Sequence, residues 1–480
     1  MDIKKFLDSL NILQVVNNIP KQISGVCCHT DEVKKDSLFV CIKGSNFDGH
    51  DFAKQAVEKG ACVVVCQKPL DIDVCQLIVD DTHKAISLLA SCLYDYPAKK
   101  LKIICVVGTN GKTSTATLIY KILSKTGHKS ALISTNGIYI DGKYVPNNMT
   151  TPDPLILNKL WSDMAKCGTK FCVMEMSAHA IHQQKTFGNV VDMAVFTNLS
   201  QDHLDYFGDM QTYAEAKQSF FEKNYAKIAV INADDKLGQK LIKNQKIPTV
   251  SYGITNVADV FAMYVDCYGK TSSFVINLYD EVCRFVYNLS GMFNAYNVLA
   301  CATACRVFGI KADEIATVLE DIKEIEGRNQ TVFLPNGARV VVDYAHTPDG
   351  MQNILSYLKQ STKGKLIAVF GCGGNRDKTK RKLMGQIASN FCDFVFVTSD
   401  NPRYENPFDI MFQVQKGICV DHQLVCDRKQ AINYALDMAG KDDTVAILGK
   451  GAEKYQEIRG RKYPYCDIDV VHKIINKQGE

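Results

Sequence analysis

The stretch VVGTNGKTS, Val106 to Ser114, closes with Gly111, Lys112 and Thr113 in the manner of a phosphate-binding loop. In such a loop the backbone amides and the N-terminus of the following helix face an anion. Lys112 can then reach the outer phosphates and Thr113 can ligate Mg²⁺. The usual pattern G-x-x-x-x-G-K-[ST] wants a glycine where this chain has Val106, and its first glycine comes later, at Gly108. Three further residues have the chemistry to serve the same nucleotide. Glu175 ends the apolar run KFCVME and could hold Mg²⁺; His203 lies in NLSQDHLDYFGDM; Lys217 lies in TYAEAKQSFF beside Phe220 and Phe221, which read as buried. Singly, each has a plain reading: a capping glutamate, a surface histidine, a lysine lying along an apolar face. Together they point to one site.

The elements that must position these residues are legible as alternation. From Lys102 onward the apolar runs KIICVV, KFCVME, MAVFTN and KIAVIN are separated by helix-length amphipathic segments, as in parallel sheets. A second series follows with RVVVDYA, KLIAVFG, FVFVTSDNPR and TVAILGKG, and SLFVCI, ACVVVC and QLIVDD form a smaller set near the N-terminus. The helical pattern THKAISLLASCLYDY stops at Pro97, and a second break falls near GRNQ, Gly327 to Gln330. The reading is an α/β protein of three domains, over residues 1–98, 99–327 and 328–480. Ligands are expected outside the carboxyl ends of the strands.

Composition narrows the class. With 480 residues, 46% hydrophobic and 22% charged, the chain reads as soluble globular protein, and a net charge of +4 is too small to argue nucleic-acid binding. No run approaches a membrane span, and MDIKKFLDSL lacks the apolar core of a signal peptide, so a cytoplasmic location is expected. The nineteen cysteines are scattered through apolar runs without zinc-site spacing, which reads as buried thiols in a reducing compartment.

With these residues in view, the chain resembles the Mur ligases, ATP-dependent amide-forming enzymes of peptidoglycan precursor synthesis. GTNGKTS is very like that family's shortened phosphate loop, and within the family the chain is most similar to the members that add diaminopimelate. The resemblance implies a small N-terminal α/β uridine-binding domain, a central P-loop ATPase-like domain with a mainly parallel sheet, and a C-terminal Rossmann-like α/β domain. It implies that Gly108, Thr109, Asn110, Gly111, Lys112, Thr113 and Ser114 bind ATP. Asn294 and Asn297 of GMFNAYNVLA, Arg328 of GRNQ, and Asp343 and His346 of VDYAHTP would join them. Thr113, Glu175 and His203 would hold magnesium, and Lys217 matches the lysine that the family carbamylates to N6-carboxylysine, a group able to support a metal. Lys112, Glu175, His203 and Lys217 would form the catalytic set.

For the substrate, UDP-N-acetylmuramoyl-L-alanyl-D-glutamate, the resemblance implies Thr150 and Thr151 of MTTPDP, Ser177 of MEMSAHA, Gln183, Lys185, and Thr30 in the uridine-like stretch HTDEVKKDSLFVCIKGSNFDGHDF. For meso-diaminopimelate it implies Arg376, then Asp400, Asn401, Pro402 and Arg403 of DNPR, and Gly449 with Glu453 of GKGAEKYQ. A guanidinium fork suits the distal carboxylate that lysine lacks. The implied reaction phosphorylates the D-glutamate γ-carboxylate and lets the diaminopimelate amine displace phosphate. A monomer without nucleic-acid or membrane partners is expected, and the C-terminal domain is expected to close on the central one.

The chain departs from the family pattern at several positions: Thr30 and Asp31 for Ser-Arg, Lys185 for arginine, Asn329 and Gln330 for Met-Glu, and Ala452 for histidine. Asp31 sets a negative charge near an expected anionic nucleotide sugar. Two alternatives therefore stay open: another ligase of the superfamily, lysine-adding or folylpolyglutamate-type, and a non-catalytic interaction subunit.

Overall fold

Three β-sheets, each flanked by helices, follow one another along the chain in this computed structural model, which describes residues 1–478 apart from 45, 46, 148, 270 and 280. Ser45 and Asn46 of the uridine-like stretch thus lie outside the described residues. The first sheet has five strands in the order Ile12–Val16, Cys75–Val79, Ala61–Cys66, Ser37–Val40, Gly25–Cys27, of which only the first pairing is antiparallel. The helix Thr82–Leu93 covers it. Its first amides, on His83 and Lys84, donate to the Asp81 carboxylate at 2.8 and 3.2 Å, and Ala85, Ile86, Leu89 and Ala90 turn inward. The helix ends before Asp95 and Tyr96, both at positive φ, and Pro97 begins a short 3₁₀ turn into the next sheet.

The second sheet has eleven strands. At its centre Lys102–Val107 lies between Val191–Phe196 and Phe171–Met176, parallel to both, and Ile103 through Val107 are all buried. A strand covered on both faces needs an unbroken apolar run, which KIICVV supplies. Val106 is paired with Glu175 on one side and Val195 on the other, so the chain is still strand where the longer loop pattern would place a glycine. The helices Lys112–Lys125 and Met292–Val307 pack on one face, and Pro154–Lys166, with the fully buried Trp161, packs on the other.

The parallel block ends in antiparallel strands at both edges: Gly137–Ile140 and Lys143–Val145 at one, Ser272–Leu278 and Glu281–Tyr287 at the other. The sequence reading did not pick these out. Ser272–Leu278 alternates buried and half-buried residues, a half-covered strand rather than the continuous apolar run that marks the centre.

The third sheet has six strands in the order Gln330–Phe333, Arg339–Asp343, Thr444–Leu448, Leu366–Phe370, Phe394–Val397, His422–Leu424, again with only the first pairing antiparallel. A separate hairpin, Tyr455–Ile458 with Arg461–Pro464, follows. Beneath the sheet the Arg428 guanidinium is fully buried and forms a two-pronged pair with Asp467, Nε to Oδ1 at 2.8 Å and Nη2 to Oδ2 at 2.7 Å, while Nη2 also donates to the Leu448 carbonyl at 2.9 Å. That pair ties the end of the central strand to two helices. Among the described residues no helix is long and apolar enough to cross a membrane.

Candidate functional site

The carboxyl ends of the second and third sheets face one another across a cavity of about 640 Å³. The phosphate loop forms one wall. It is held from the end of the neighbouring strand: Thr197 Oγ1 donates to the Asn110 carbonyl at 2.7 Å, the Asn110 amide donates to Asn198 Oδ1 at 2.9 Å, and the Thr109 amide donates to the Asn198 carbonyl at 2.9 Å. Gly108 is required by this approach, because a Cβ there would collide with the Thr197 hydroxyl. Gly111 sits at φ +81° just before the helix, and its Cβ would collide with Asn297 Oδ1. Thr197 and Asn198 carried no motif of their own in the sequence.

Lys112 Nζ donates to the loop carbonyls of Gly108 and Thr109 at 3.1 and 2.7 Å. Burial lowers its pKa, with Glu175 and Asp202 opposing that and Arg328 adding to it. Arg328 reaches across from the junction between the sheets: Nη2 donates to Thr113 Oγ1 at 2.8 Å and the guanidinium stacks 4.2 Å from the Tyr344 ring centre. Its Nη1 is buried and, among the described residues, has no hydrogen-bond partner, an orphaned cationic donor that an anionic ligand would satisfy. Asp343 accepts from the Asn329 and Ala345 amides at 2.6 and 2.7 Å, and burial raises its pKa. Asn294 and Asn297 line the cavity with their amides joined at 3.1 Å, and Asn297 Oδ1 also accepts from Thr115 at 3.3 Å, so the pair braces the loop from below.

Glu175 is buried and its carboxylate accepts from the Thr135 amide at 2.7 Å and hydroxyl at 3.3 Å. His203 stands at φ +57°, an uncommon conformation for a non-glycine residue, at the start of a short helix. Burial pushes its pKa down to about 3, so the imidazole is neutral and able to donate a lone pair. Lys217 is 1% exposed, contrary to a lysine lying along an apolar surface. Its Nζ is 3.3 Å from Thr109 Oγ1 and 4.3 Å from the Tyr213 ring centre, and among the described residues no carboxylate pairs with it. Burial, with Lys112 nearby, drives its pKa well below the usual lysine value, toward the neutral amine that carbamate formation needs.

Sequence reasoning passed over Asp202, the neighbour of His203. This buried carboxylate faces Lys380 at 3.3 Å, His203 at 3.3 Å and His346 at 3.5 Å. Burial alone would raise its pKa, yet Lys380 first, and then the hydrogen bond with His346, outweigh that and hold it well below the usual range. Lys380 and His346 come from the third sheet's side, so the cluster joins the two halves of the cavity. Asn110 makes a second joint, donating to Asp349 Oδ2 at 2.7 Å. The acidic residue beside a predicted metal ligand was the available signal.

Arg376, Asp400, Asn401, Arg403, Gly449 and Glu453 line the same cavity, away from the phosphate loop. Pro402 does not line the cavity; its carbonyl lies where a Cβ on Gly374 would collide, so it locks the DNPR turn onto the GCGG loop. Asn401 Nδ2 donates to Glu453 Oε2 at 2.9 Å, and the fully buried Lys450, unremarked in the sequence, donates to Asn401 Oδ1 at 3.0 Å and Glu453 Oε2 at 2.6 Å. Burial and the neighbouring Arg403 lower the Arg376 pKa. Two guanidinium groups beside a carboxylate make a surface that can take both charges of an amino acid.

The expected nucleotide-sugar residues divide. Thr150 and Ser177 line the cavity, whereas Thr30, Thr151, Gln183 and Lys185 do not. Thr151 is buried and donates to the Glu175 carbonyl at 2.9 Å. Lys185 is buried and bound to Asp153 at 2.8 Å and to the Thr151 carbonyl at 3.1 Å, so it braces the Thr-Thr-Pro segment. Thr30 sits in a short 3₁₀ turn of the first sheet's unit. Asp31 there is almost fully exposed and paired with Lys59 at 3.1 Å, which offsets the negative charge the sequence placed near the nucleotide sugar. Asn329 and Gln330 serve the junction, Asn329 through Asp343 and Gln330 by accepting from the Gly327 amide at 3.0 Å.

Among the described residues no group of three His, Cys, Asp or Glu side chains could hold a metal alone. Glu175, His203 and the Thr113 hydroxyl nevertheless line one cavity. The Glu175 carboxylate and the Thr113 hydroxyl fit Mg²⁺, which takes few oxygen ligands from protein, keeps water and takes phosphate oxygens from its substrate.

Family models described as Mur ligase family, catalytic domain, Mur ligase middle domain, and Mur ligase, glutamate ligase domain match residues 22–90, 106–305 and 327–451. The chain is 37% identical over 482 residues to UDP-N-acetylmuramoyl-L-alanyl-D-glutamate--2,6-diaminopimelate ligase 1 of Clostridium acetobutylicum, covering 99% of this chain and 100% of that one. It is 40% identical over 463 residues to the ligase of the same name from Aquifex aeolicus, covering 96% and 95%. A solved structure of a UDP-N-acetylmuramoyl-L-alanyl-D-glutamate--2,6-diaminopimelate ligase superposes with a TM-score of 0.68 at 31% identity over 99% of both chains. The MurF ligase of Thermotoga maritima in complex with ADP shares the fold, with a TM-score of 0.62 at 21% identity over 94% of this chain and 97% of that one.

Proposed function

The chain belongs to the Mur ligase family, and from that premise we propose that it joins meso-2,6-diaminopimelate to the D-glutamate γ-carboxylate of UDP-N-acetylmuramoyl-L-alanyl-D-glutamate at the expense of ATP. The product is a peptidoglycan precursor. The observation that carries this reading is that the phosphate loop and the Arg376, Arg403 and Glu453 set open into one cavity. The working units are residues 1–98 for the nucleotide sugar, 99–327 for ATP and 328–480 for the amino acid. Their sheets lie within these bounds.

In the first step a γ-carboxylate oxygen attacks the γ-phosphorus of ATP, ADP leaves, and an acyl phosphate forms. Lys112 and the loop amides offset charge on the phosphoryl oxygens as they pass between donor and acceptor. Arg328 holds the nucleotide, its free Nη1 supplying a donor, with Asp343, His346, Asn294 and Asn297 around it. Thr113, Glu175 and His203 would hold Mg²⁺, which adds positive charge beside the phosphates, and Lys217 as a carbamate would give a further oxygen donor. In the second step the diaminopimelate amine attacks the acyl carbon, and the tetrahedral adduct expels phosphate. Arg376 and Arg403 take the distal carboxylate and Glu453 the distal ammonium. Thr150 and Ser177 line the muramoyl end, with Thr151, Gln183, Lys185 and Thr30 acting from farther out. Enclosure between the two sheets keeps water from the acyl phosphate. The protein acts in the cytoplasm, where these substrates reside, and as a monomer.

The test is phosphate release from ATP and UDP-N-acetylmuramoyl-dipeptide with meso-diaminopimelate, L-lysine or no amino acid. Release with meso-diaminopimelate and little with lysine is expected. Equal use of lysine would remove the role given to Arg403, and no release with either would favour an interaction subunit.

A further inference from the structure

The arginine of the DNPR turn is not held by the turn alone. Arg403 sits at φ +51°, a left-handed conformation that non-glycine side chains disfavour, and the hairpin after the GKG loop grips it there. The Arg403 amide donates to the Glu457 carbonyl at 3.1 Å, and the Arg459 amide donates to the Arg403 carbonyl at 2.7 Å. The Glu457 amide donates to Asn401 Oδ1 at 2.9 Å, and Gln456 Nε2 donates to the Asp400 carbonyl at 2.7 Å. Every residue of the turn that precedes Arg403, apart from the proline, is thus bonded to the strand Tyr455–Ile458.

The side chains continue the pattern. Glu457 Oε2 lies 3.2 Å from Arg403 Nε, with both side chains about four-fifths buried. Arg403 Nη1 donates to the Gly374 carbonyl at 2.8 Å. Among the described residues Nη2 has no hydrogen bond, so the end of the fork formed by Nη1 and Nη2 stays available to a carboxylate. Arg376, whose guanidinium feels the repulsion of Arg403, is offset first by Asp205, then by Glu457 and Asp202. Glu457 therefore fixes the edge of the Arg403 guanidinium without closing the end that would meet a ligand.

We propose that Glu457 is a positioning residue for amino-acid selection: it orients Arg403 so that the guanidinium takes the distal carboxylate of the incoming diamino acid. This rests on the reading of the reaction given above. Glu457 acts through Arg403 and does not touch the reacting atoms, so its loss should weaken binding of the amino acid and leave phosphoryl transfer intact.

The experiment is steady-state phosphate release with the wild type, Glu457→Ala and Glu457→Gln, each varied in meso-diaminopimelate, in ATP and in L-lysine. Loss of a charge-assisted hydrogen bond predicts a KM for meso-diaminopimelate raised roughly tenfold in Glu457→Ala. The KM for ATP and the kcat should stay within about twofold, and the preference for meso-diaminopimelate over lysine should fall by the same tenfold. Glu457→Gln keeps an acceptor for Nε and should recover part of the loss. An unchanged KM for meso-diaminopimelate in Glu457→Ala would overturn the proposal, as would equal rises in the KM for ATP and the amino acid, the mark of a general structural defect. Should Glu457→Ala not fold, a KM for meso-diaminopimelate raised in Glu457→Gln while that for ATP stays at the wild-type value supports the role, and a wild-type KM for meso-diaminopimelate, or one raised together with that for ATP, contradicts it. A wild type that releases no phosphate with meso-diaminopimelate would instead overturn the reaction itself, so the two failures are distinct.

Discussion

Gly111 shows how closely the nucleotide chemistry depends on single positions. Its φ of +81° and the nearness of Asn297 Oδ1 leave no room for a side chain. Gly111→Ala should cost about 1–3 kcal/mol in strain and shift Lys112 and Thr113, which follow it directly. Thermal unfolding should show the loss, and the KM for ATP in the phosphate-release assay should rise at least about tenfold; a wild-type KM would contradict the account. At this scale much was readable. Lys112, Glu175 and His203 stood out because strand ends followed by polar residues are where such sheets gather ligands. Asp202, Lys380 and Lys450 did not, since a buried charge announces itself only through the partner that folding brings to it. Lys185 was legible as a charge, but its burial against Asp153 was not.

Between residue and molecule, the elements set where each loop points. The buried Arg428–Asp467 pair links the helices Arg428–Met438 and Asp467–Gln478 and holds the Leu448 carbonyl at the mouth of the GKG loop. Asp467→Asn would leave a guanidinium buried without its counter-charge, a loss of about 3–5 kcal/mol. Chemical denaturation followed by far-UV circular dichroism should show the third sheet's unit unfolding at lower denaturant; an unchanged midpoint would mean that the pair contributes nothing net. The central strands were plain in the sequence because a strand covered on both faces must be continuously apolar. The antiparallel edges were not, since alternating runs such as Ser272–Leu278 carry a weaker signal than KIICVV. Val106 belongs to the same lesson: its place in the loop pattern looked like a missing glycine, and pairing with Glu175 and Val195 shows it as strand.

Across the whole molecule the two halves of the cavity are joined by a few polar contacts, Asp202 with Lys380 and His346, and Asn110 with Asp349. All three contacts start at or beside residues given phosphate or metal roles, so occupancy of the nucleotide site and the seating of the amino-acid site share the same hinge of contacts. The arrangement makes sense for a reaction in which an unstable acyl phosphate must wait, shielded from water, for an amine held by the other half. That intermediate is the central claim, and isotope transfer tests it most directly. With ¹⁸O in the γ-carboxylate of the UDP-N-acetylmuramoyl-dipeptide, turnover with ATP and meso-diaminopimelate should yield inorganic phosphate carrying one ¹⁸O, read by the shift of its ³¹P resonance. Phosphate free of ¹⁸O alongside tripeptide formation would contradict transfer of the γ-phosphoryl group to the carboxylate.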